Sequence, residues 1–440
     1  MKVCVMGLWH LGCVVSACLS EIKEITVTGL DFDNTNIANL NNGIPPIFEP
    51  GLVELIQKNI GGSLKYTDDT ETAVSNADYL WIAYDTPVDE NDNADVSAVV
   101  DKVVKTFPYI NTNMGIIVSS QLPVGTTRHL KNTYFENFSA FKPVFAYSPE
   151  NLRLGRAIDV FTNPDRVVIG TDYVDKDVFE KLFLCITDKL EWMCIESAEM
   201  TKHAINAFLA TSAVFANEIA TLCEYVGADA KEVERGLKTE QRIGSKAYVA
   251  PGGAIAGGTL NRDIVFLNKL GDELKIKTDL LMGVKKSNDK HKSWHKNKLK
   301  EELGDLKNKK IGILGLTYKA GTNTLRRSLA VELCRELSKE GAYVFAYDPS
   351  LNVAELDEEY NSFINISDSI ESVFDNSDGV VICTEWPEFK NCLKITRLNL
   401  MNNRLIIDSN GFFDDENELF RGQIKHIILG KGDSRDETVK

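Results

Sequence analysis

Short apolar runs alternate with longer mixed stretches along most of the chain. The runs Lys2–Met6, Ile25–Val27, Tyr79–Ala83, Gly115–Val118, Val144–Tyr147 and Val167–Gly170 are three to five residues long. They are nearly continuous in apolar character rather than alternating, as strands covered on both faces are. The stretches between them carry helical or loop character, so a mainly parallel sheet with helices on both sides is predicted. Within the first of these units, Lys2–Met6 reads as a strand, Gly7–Gly12 as a glycine-bearing turn and Cys13–Glu21 as a helix. From about Ala198 the pattern changes to one long helical periodicity with no Gly or Pro before Gly227. A helix of that length can bridge domains or form a dimer interface. Residues 285–310 are rich in charge, and an exposed helix and linker are predicted there.

After that stretch the chain restarts with KKIGILGLTYKAG, a second strand–glycine–helix opening, and strands follow at Tyr343–Tyr347 and Gly379–Cys383. The expected architecture is α/β, with two Rossmann-like doubly wound domains joined by a long central helix and a helical dimerisation region. The expected boundaries are 1–197, 198–304 and 305–440.

Composition narrows the choice of partners. With 440 residues and 43% hydrophobic, the chain supports more than one core. Its formal charge of -15 excludes a general binder of nucleic acid or anionic membrane, which needs a positive field. A small anionic ligand held by local N–H groups and a few cations remains compatible. Nine cysteines without tight spacing fit a reducing cytosol, and a cytoplasmic protein is expected. MKVCVMGLWHLG leads straight into a strand rather than a signal segment. No eighteen apolar residues run together, so no membrane span is expected.

The first candidate chemistry is Gly7-Leu-Trp9-His-Leu-Gly12, with Asp31 nineteen residues beyond Gly12 at the end of the next strand. Glycines at such a turn let the backbone approach a pyrophosphate at a helix N-terminus, and the acidic residue takes the adenosine ribose hydroxyls. Trp9 stands in the place of the second glycine, and a purely structural turn is the alternative. A carboxylate at Asp31 favours NAD over NADP, since it would repel a 2′-phosphate.

Further segments carry a resemblance over nearly the whole length. They are Gly43-Ile-Pro-Pro-Ile-Phe-Glu49-Pro-Gly51-Leu52, Asp85-Thr86-Pro87 with Asp95-Val-Ser97, Pro123-Val-Gly125-Thr126-Thr127 and Ser148-Pro-Glu150-Asn-Leu-Arg. Others are Asn163-Pro-Asp-Arg166, Ala198-Glu-Met-Thr-Lys202 through Asn206 to Asn217-Glu218, and Arg242-Ile-Gly244. The last are Gly315-Leu-Thr-Tyr-Lys319, Tyr347-Asp-Pro349 and Thr384-Glu-Trp386. Together they resemble the UDP-glucose/GDP-mannose dehydrogenase family.

The resemblance implies an NAD-dependent oxidoreductase acting on a CH–OH of a nucleotide sugar, of the kind that serves polysaccharide biosynthesis. It implies an N-terminal NAD domain, a central helix at a homodimer interface, and a C-terminal domain holding the nucleotide. Cofactor contacts would come from Gly7, Leu11, Gly12, Asp31, Thr86, Gln121 and Arg326. Substrate contacts would come from Glu150, Leu152, Lys202, Asn206, Gly257 and Lys319, with Arg242 reaching the partner subunit's substrate. Plainer readings exist: Thr86-Pro87 ends a strand, and Arg242 forms a surface ion pair.

Members of this family typically oxidise an alcohol twice, the second time through a cysteine thiohemiacetal, in a segment resembling Gly-Phe-Gly-Gly-Ser-Cys-Phe-Pro-Lys-Asp. Here the segment reads Ala254-Ile-Ala-Gly-Gly-Thr259-Leu-Asn-Arg262-Asp263, and Thr259 falls in the cysteine's place. A thiol with a reference pKa of roughly 8.5 supplies some thiolate near neutrality, whereas an unactivated hydroxyl supplies almost none. Gln121 replaces a family Thr, and Leu154 replaces a second Glu after Glu150. By contrast Lys202, Asn206 and Asp263 match the family's catalytic group, and Glu150 matches as an acid–base candidate. Lys202 and Asn206 are one helical turn apart and share a face. A Lys202–Asp263 ion pair is the structural alternative.

The functional expectation is a single two-electron oxidation to an aldehyde or ketone. A cysteine-independent oxidation to a uronic acid and a non-catalytic binder of NAD or sugar nucleotide are the alternatives. His291 and His295 have helical spacing but no ligand set around them, so a solvated face is expected and no metal site. Arg327 stands beside Arg326 where the family has Glu. No nucleic acid or membrane partner is expected.

Overall fold

The computed structural model describes residues 1–87, 89, 94–256, 258–351, 358–390, 392–413 and 422–432. They form two compact units, Met1–Ile205 and Asn206–Lys440.

The first unit is built on eight strands: β1 (Lys2–Met6), β2 (Thr26–Leu30), β3 (Leu64–Thr67), β4 (Tyr79–Ile82), β5 (Gly115–Val118), β6 (Val144–Tyr147), β7 (Val167–Thr171) and β8 (Leu190–Met193). Their order is β3-β2-β1-β4-β5-β6-β7-β8. Neighbours are parallel except β6 and β7, which are antiparallel. Consecutive residues of a strand point to opposite faces. Val3, Val5, Trp81 and Ile117 therefore enter one core, while Cys4, Met6, Leu80, Ile82 and Ile116 enter the other. Two covered faces explain the unbroken apolar runs. The chain reverses its direction of travel between β1 and β4, which opens a crevice at the carboxyl ends of those strands.

The first helix runs His10–Ser20, three residues earlier than the pattern predicts. Gly7 alone in the turn needs the left-handed region, at φ +94°, and Trp9 already has ordinary extended geometry as the N-cap. The reversal is thus finished by residue 8, and the helix begins at once.

The central helix spans Ile195–Val226, 32 residues. By length and mean hydropathy it is long and apolar enough to cross a membrane, which the expectation from unbroken apolar runs missed. A core helix passes the same test. Glu199, Lys202, His203, Asn206 and Asn217 along it are buried, and Glu199 and Asn217 bond protein amides.

In the second unit the strands β9 (Lys310–Leu314), β10 (Tyr343–Tyr347), β11 (Asn365–Ile366), β12 (Gly379–Ile382), β13 (Leu405–Asp408) and β14 (Lys425–Ile428) form a parallel sheet. Their order, β11-β10-β9-β12-β13-β14, repeats the reversal, now between β9 and β12. Both units are Rossmann-like.

The charge-rich stretch is mostly helical, with one face packed rather than solvated. It forms the helices Asp279–His291 and Trp294–Leu303, with Trp294, Leu299 and the following Leu306 buried. Lys292, Lys296 and Lys300, each four apart, pair at 3.0, 2.7 and 2.7 Å with Glu332, Glu336 and Glu340, also four apart, on and just beyond the helix Leu329–Lys339. Matching helical spacing turns the lysine run into a packed face. The helix break at Lys292–Ser293 also places the two histidines on different helices, and neither is solvated. His291 Nε2 meets Gly252 O at 2.8 Å, and burial pushes His295 down to about 4.

His295 therefore makes the fold acid-sensitive. Its stabilising contribution is complete above its ordinary pKa of 6.5 and is lost as pH falls from there towards about 4. Denaturant unfolding is expected to show a loss of roughly 1.4 kcal/mol per pH unit in that window from this group. His295→Gln is expected to flatten the slope; an unchanged slope would refute the assignment.

Candidate active site

The carboxyl ends of β1, β2, β4 and β5 gather the cofactor candidates of the first unit, all but Arg326. A Cβ on Gly7 would lie 2.7 Å from the Tyr84 backbone nitrogen, and one on Gly12 would lie 1.9 Å from Gly7 O. Both glycines are therefore required by close backbone approach. The Leu8 peptide is held at both ends: its N–H donates to Asp31 Oδ2 at 2.6 Å, and its carbonyl accepts from Asn36 Nδ2 at 2.8 Å. The other Asp31 oxygen accepts the Phe32 and Asp33 amides at 2.7 and 3.3 Å. The helix beginning at His10 has no side-chain cap, so its first amides suit an anion. Trp9 is 48% exposed beside it, and Leu11 is half-buried. Thr86 is buried and donates to Gln121 O at 2.8 Å, joining the loops after β4 and β5. These features fit a dinucleotide.

Beyond β6 lies the segment Ser148–Ala157. Lys202, 5% exposed, donates from Nζ to Glu150 O at 2.6 Å and reaches Glu150 Oε1 at 3.3 Å. Glu150 Oε2 accepts the Leu152 amide at 2.8 Å. Leu154 is exposed. One turn away on the same helix, Glu199 accepts the amides of Gly125 and Thr127 at 2.6 and 2.9 Å, capping the helix Thr126–Asn137; burial raises its pKa. His203 Nε2 meets Leu122 O at 3.1 Å. Sequence reasoning singled out Lys202 and missed Glu199 and His203, although their spacing of three before and one after puts all three on one face.

In the second unit Asn206 donates to Asp263, which is 1% exposed on the helix Thr259–Glu273. Thr259 is the exposed first residue of that helix. The strand of chain before it is pinned by asparagines: Asn217 and Asn410 accept the Gly252 and Gly253 amides at 2.9 and 2.8 Å, and Asn288 bonds both polar groups of Ile255. Gly257 lies outside the described residues. Arg242 is solvent-facing with a local ion pair to Glu240 at 2.8 Å. Lys319 and Arg326 lie exposed on the loop after β9, and Arg327 on the same loop adopts φ +63°.

The loop after β9 repeats the first turn, with a difference. Gly315 has φ +87°, and a Cβ there would meet Thr384 at 2.5 Å. Asp348 takes the Leu316 and Thr317 amides at 2.7 and 2.9 Å, as Asp31 takes Leu8. It also accepts from Thr317 Oγ1, Trp386 Nε1 and Ser350 N. Protein donors fill this carboxylate, so it acts as a strut.

Residues 1–185, 196–290 and 312–415 match, respectively, the NAD binding, central and UDP binding domains of the UDP-glucose/GDP-mannose dehydrogenase family. The chain belongs to this family. A UDP-glucose 6-dehydrogenase of Bacillus subtilis is 32% identical over 431 residues, covering 97% of this chain and 93% of that protein. One from Rickettsia bellii is 33% identical over 418 residues, covering 93% and 94%. A UDP-glucose dehydrogenase structure from Pyrobaculum islandicum superimposes with TM-score 0.81 at 26% identity, covering 92% of this chain and 96% of that one. A UDP-D-ManNAc dehydrogenase structure from Pyrococcus horikoshii shares the fold, with TM-score 0.85 at 23% identity over 98% and 100% of the two chains. Membership makes the protein an NAD-dependent oxidoreductase acting on a CH–OH group of a nucleotide sugar, with its NAD-binding domain in the first unit.

A methyl group at position 12 would collide with the turn's own backbone. Gly12→Ala is expected to weaken NAD binding by at least about tenfold in calorimetry, at a cost to the turn of more than 1 kcal/mol. Unchanged affinity would show that the turn does not receive the dinucleotide.

Proposed function

We propose that this protein oxidises one alcohol of a UDP-sugar, once, to an aldehyde or ketone, and releases the carbonyl compound without carrying it to an acid. Thr259 carries the reading: a hydroxyl stands where the resemblance puts the cysteine that the second oxidation needs. No cysteine lies elsewhere in the segment between Cys223 and Cys334. Burial raises the thiols of Cys223, Cys334 and Cys383, the last to about 12, so they make poor nucleophiles. Gln121 and Leu154, two further departures from the family pattern, belong to the same loss.

The first oxidation keeps its groups. NAD, when bound, supplies the hydride acceptor. Lys202, buried and anchored on Glu150, offers a fixed ammonium that stabilises the alkoxide, and the Glu150 carboxylate beside it takes the alcohol proton. Asn206, oriented by Asp263, presents its carboxamide one turn further along the same helix. Support for a UDP-sugar comes from the match to the UDP binding domain and from relatives named as UDP-glucose 6-dehydrogenases. Glu150, Leu152, Gly257, Arg242 and Lys319 are assigned to the substrate, and Gly7, Leu11, Gly12, Asp31, Thr86, Gln121 and Arg326 to NAD.

The assembly belongs to the same proposal. Phe208, Phe215, Leu222 and Tyr225 are 70%, 46%, 60% and 75% exposed along the central helix. Three of them are spaced by seven, an apolar stripe that a second copy of the chain covers. The assembly in this proposal is a cytoplasmic homodimer.

Incubation with NAD and a panel of UDP-sugars is expected to yield one NADH per sugar and a carbonyl trapped by hydroxylamine. Two NADH with a uronic acid, or none at all, would overturn the proposal. Light scattering is expected to give the mass of a dimer, and Phe215→Glu that of a monomer. A monomeric parent protein would refute the interface.

A further inference from the structure

Glu49 lies in the chain between the helices Asn34–Asn41 and Leu52–Asn59, and none of the roles above uses it. It is 2% exposed. Its Oε1 accepts the Ala157 amide at 2.8 Å, and its Oε2 accepts the Gly155 amide at 2.8 Å and meets His10 Nε2 at 2.9 Å. These donors come from two different places. His10 is the first residue of the helix behind the glycine turn, while Gly155 and Ala157 close the segment that begins at Ser148 and carries Glu150.

That segment is held at three points. Ser148 bonds Val118 O from its amide at 2.9 Å, Lys202 holds Glu150, and Glu49 holds the far end. The third point leads directly to the cofactor turn. A buried carboxylate is costly without donors, so a shift of either element leaves the Glu49 charge short of a partner. His10 offers its backbone N–H at the helix start and its ring to Glu49, so one residue faces both ways.

We propose that Glu49, acting through His10, is a positioning residue that couples the dinucleotide-binding turn to the loop carrying Glu150, so that NAD at the helix start orders that loop. Ordering by the first ligand then lowers the ordering cost met by the second. The inference needs the turn to bind NAD but is independent of how many oxidations follow.

Hydrogen exchange of the 150–157 amides in the full chain, with and without saturating NAD, tests it without a sugar nucleotide. In the parent protein NAD is expected to slow exchange at Leu152–Ala157 by about fivefold or more. His10→Gln keeps an N–H donor for Glu49 and is expected to keep this response. His10→Ala and Glu49→Gln are expected to lose most of it while calorimetry still records NAD binding. If Glu49→Gln fails to fold, the two His10 variants decide. An equal response in all variants, no response in the parent protein, or loss with His10→Gln as severe as with His10→Ala would overturn the coupling. A stoichiometry of two NADH would leave it standing.

Discussion

In each half the peptide after the first strand must turn within two residues, and a carboxylate from the next strand takes the N–H groups that the turn exposes. Asp31 holds Leu8, and Asp348 holds Leu316 and Thr317. A glycine with positive φ makes each turn possible because the loop after the neighbouring strand, β4 in one half and β12 in the other, passes too close for a Cβ, at Tyr84 and Thr384. The first turn at the carboxyl edge of either sheet takes its position from this contact. The halves diverge afterwards. Side chains of Thr317 and Trp386 crowd onto Asp348, whereas Asp31 is met by backbone N–H groups beside an uncapped helix start.

The central helix is the second organising element. Polar residues on a long apolar helix are costly in a core unless each is satisfied. Glu199, Lys202 and His203 are satisfied by the loops at residues 122–127 and by Glu150; Asn206 and Asn217 are satisfied by Asp263 and the Gly252–Gly253 stretch. A hydrogen bond to a charged group contributes about 1.5–3 kcal/mol. The same bonds that stabilise the helix therefore fix the direction of its polar side chains. Within the second unit, three asparagines and His291 fix the stretch Gly252–Ile255 that precedes Thr259.

Much of the fold was legible because both faces of each sheet are covered, which leaves continuous apolar runs at the strands. The turn glycines and Asp31 were legible for the same local reason, since spacing along one strand–turn–helix unit is fixed. The lysine run at 285–310 misled, because its partners Glu332, Glu336 and Glu340 sit on a helix some forty residues away and only packing brings the two ladders into register. His291 and His295 misled through a helix break that periodicity does not mark.

The sequence by itself determined the α/β class, the two strand–glycine–helix openings and the family resemblance, since each is written in local order and residue identity. Tertiary structure alone decided which groups meet. That Lys202 grips Glu150, that Asn206 turns to Asp263, that Thr317 and Trp386 side chains join the donors on Asp348, and that Glu49 joins His10 to Gly155 and Ala157 all depend on contacts across tens of residues. Such contacts are set by how strands order and loops close, and no local pattern records them.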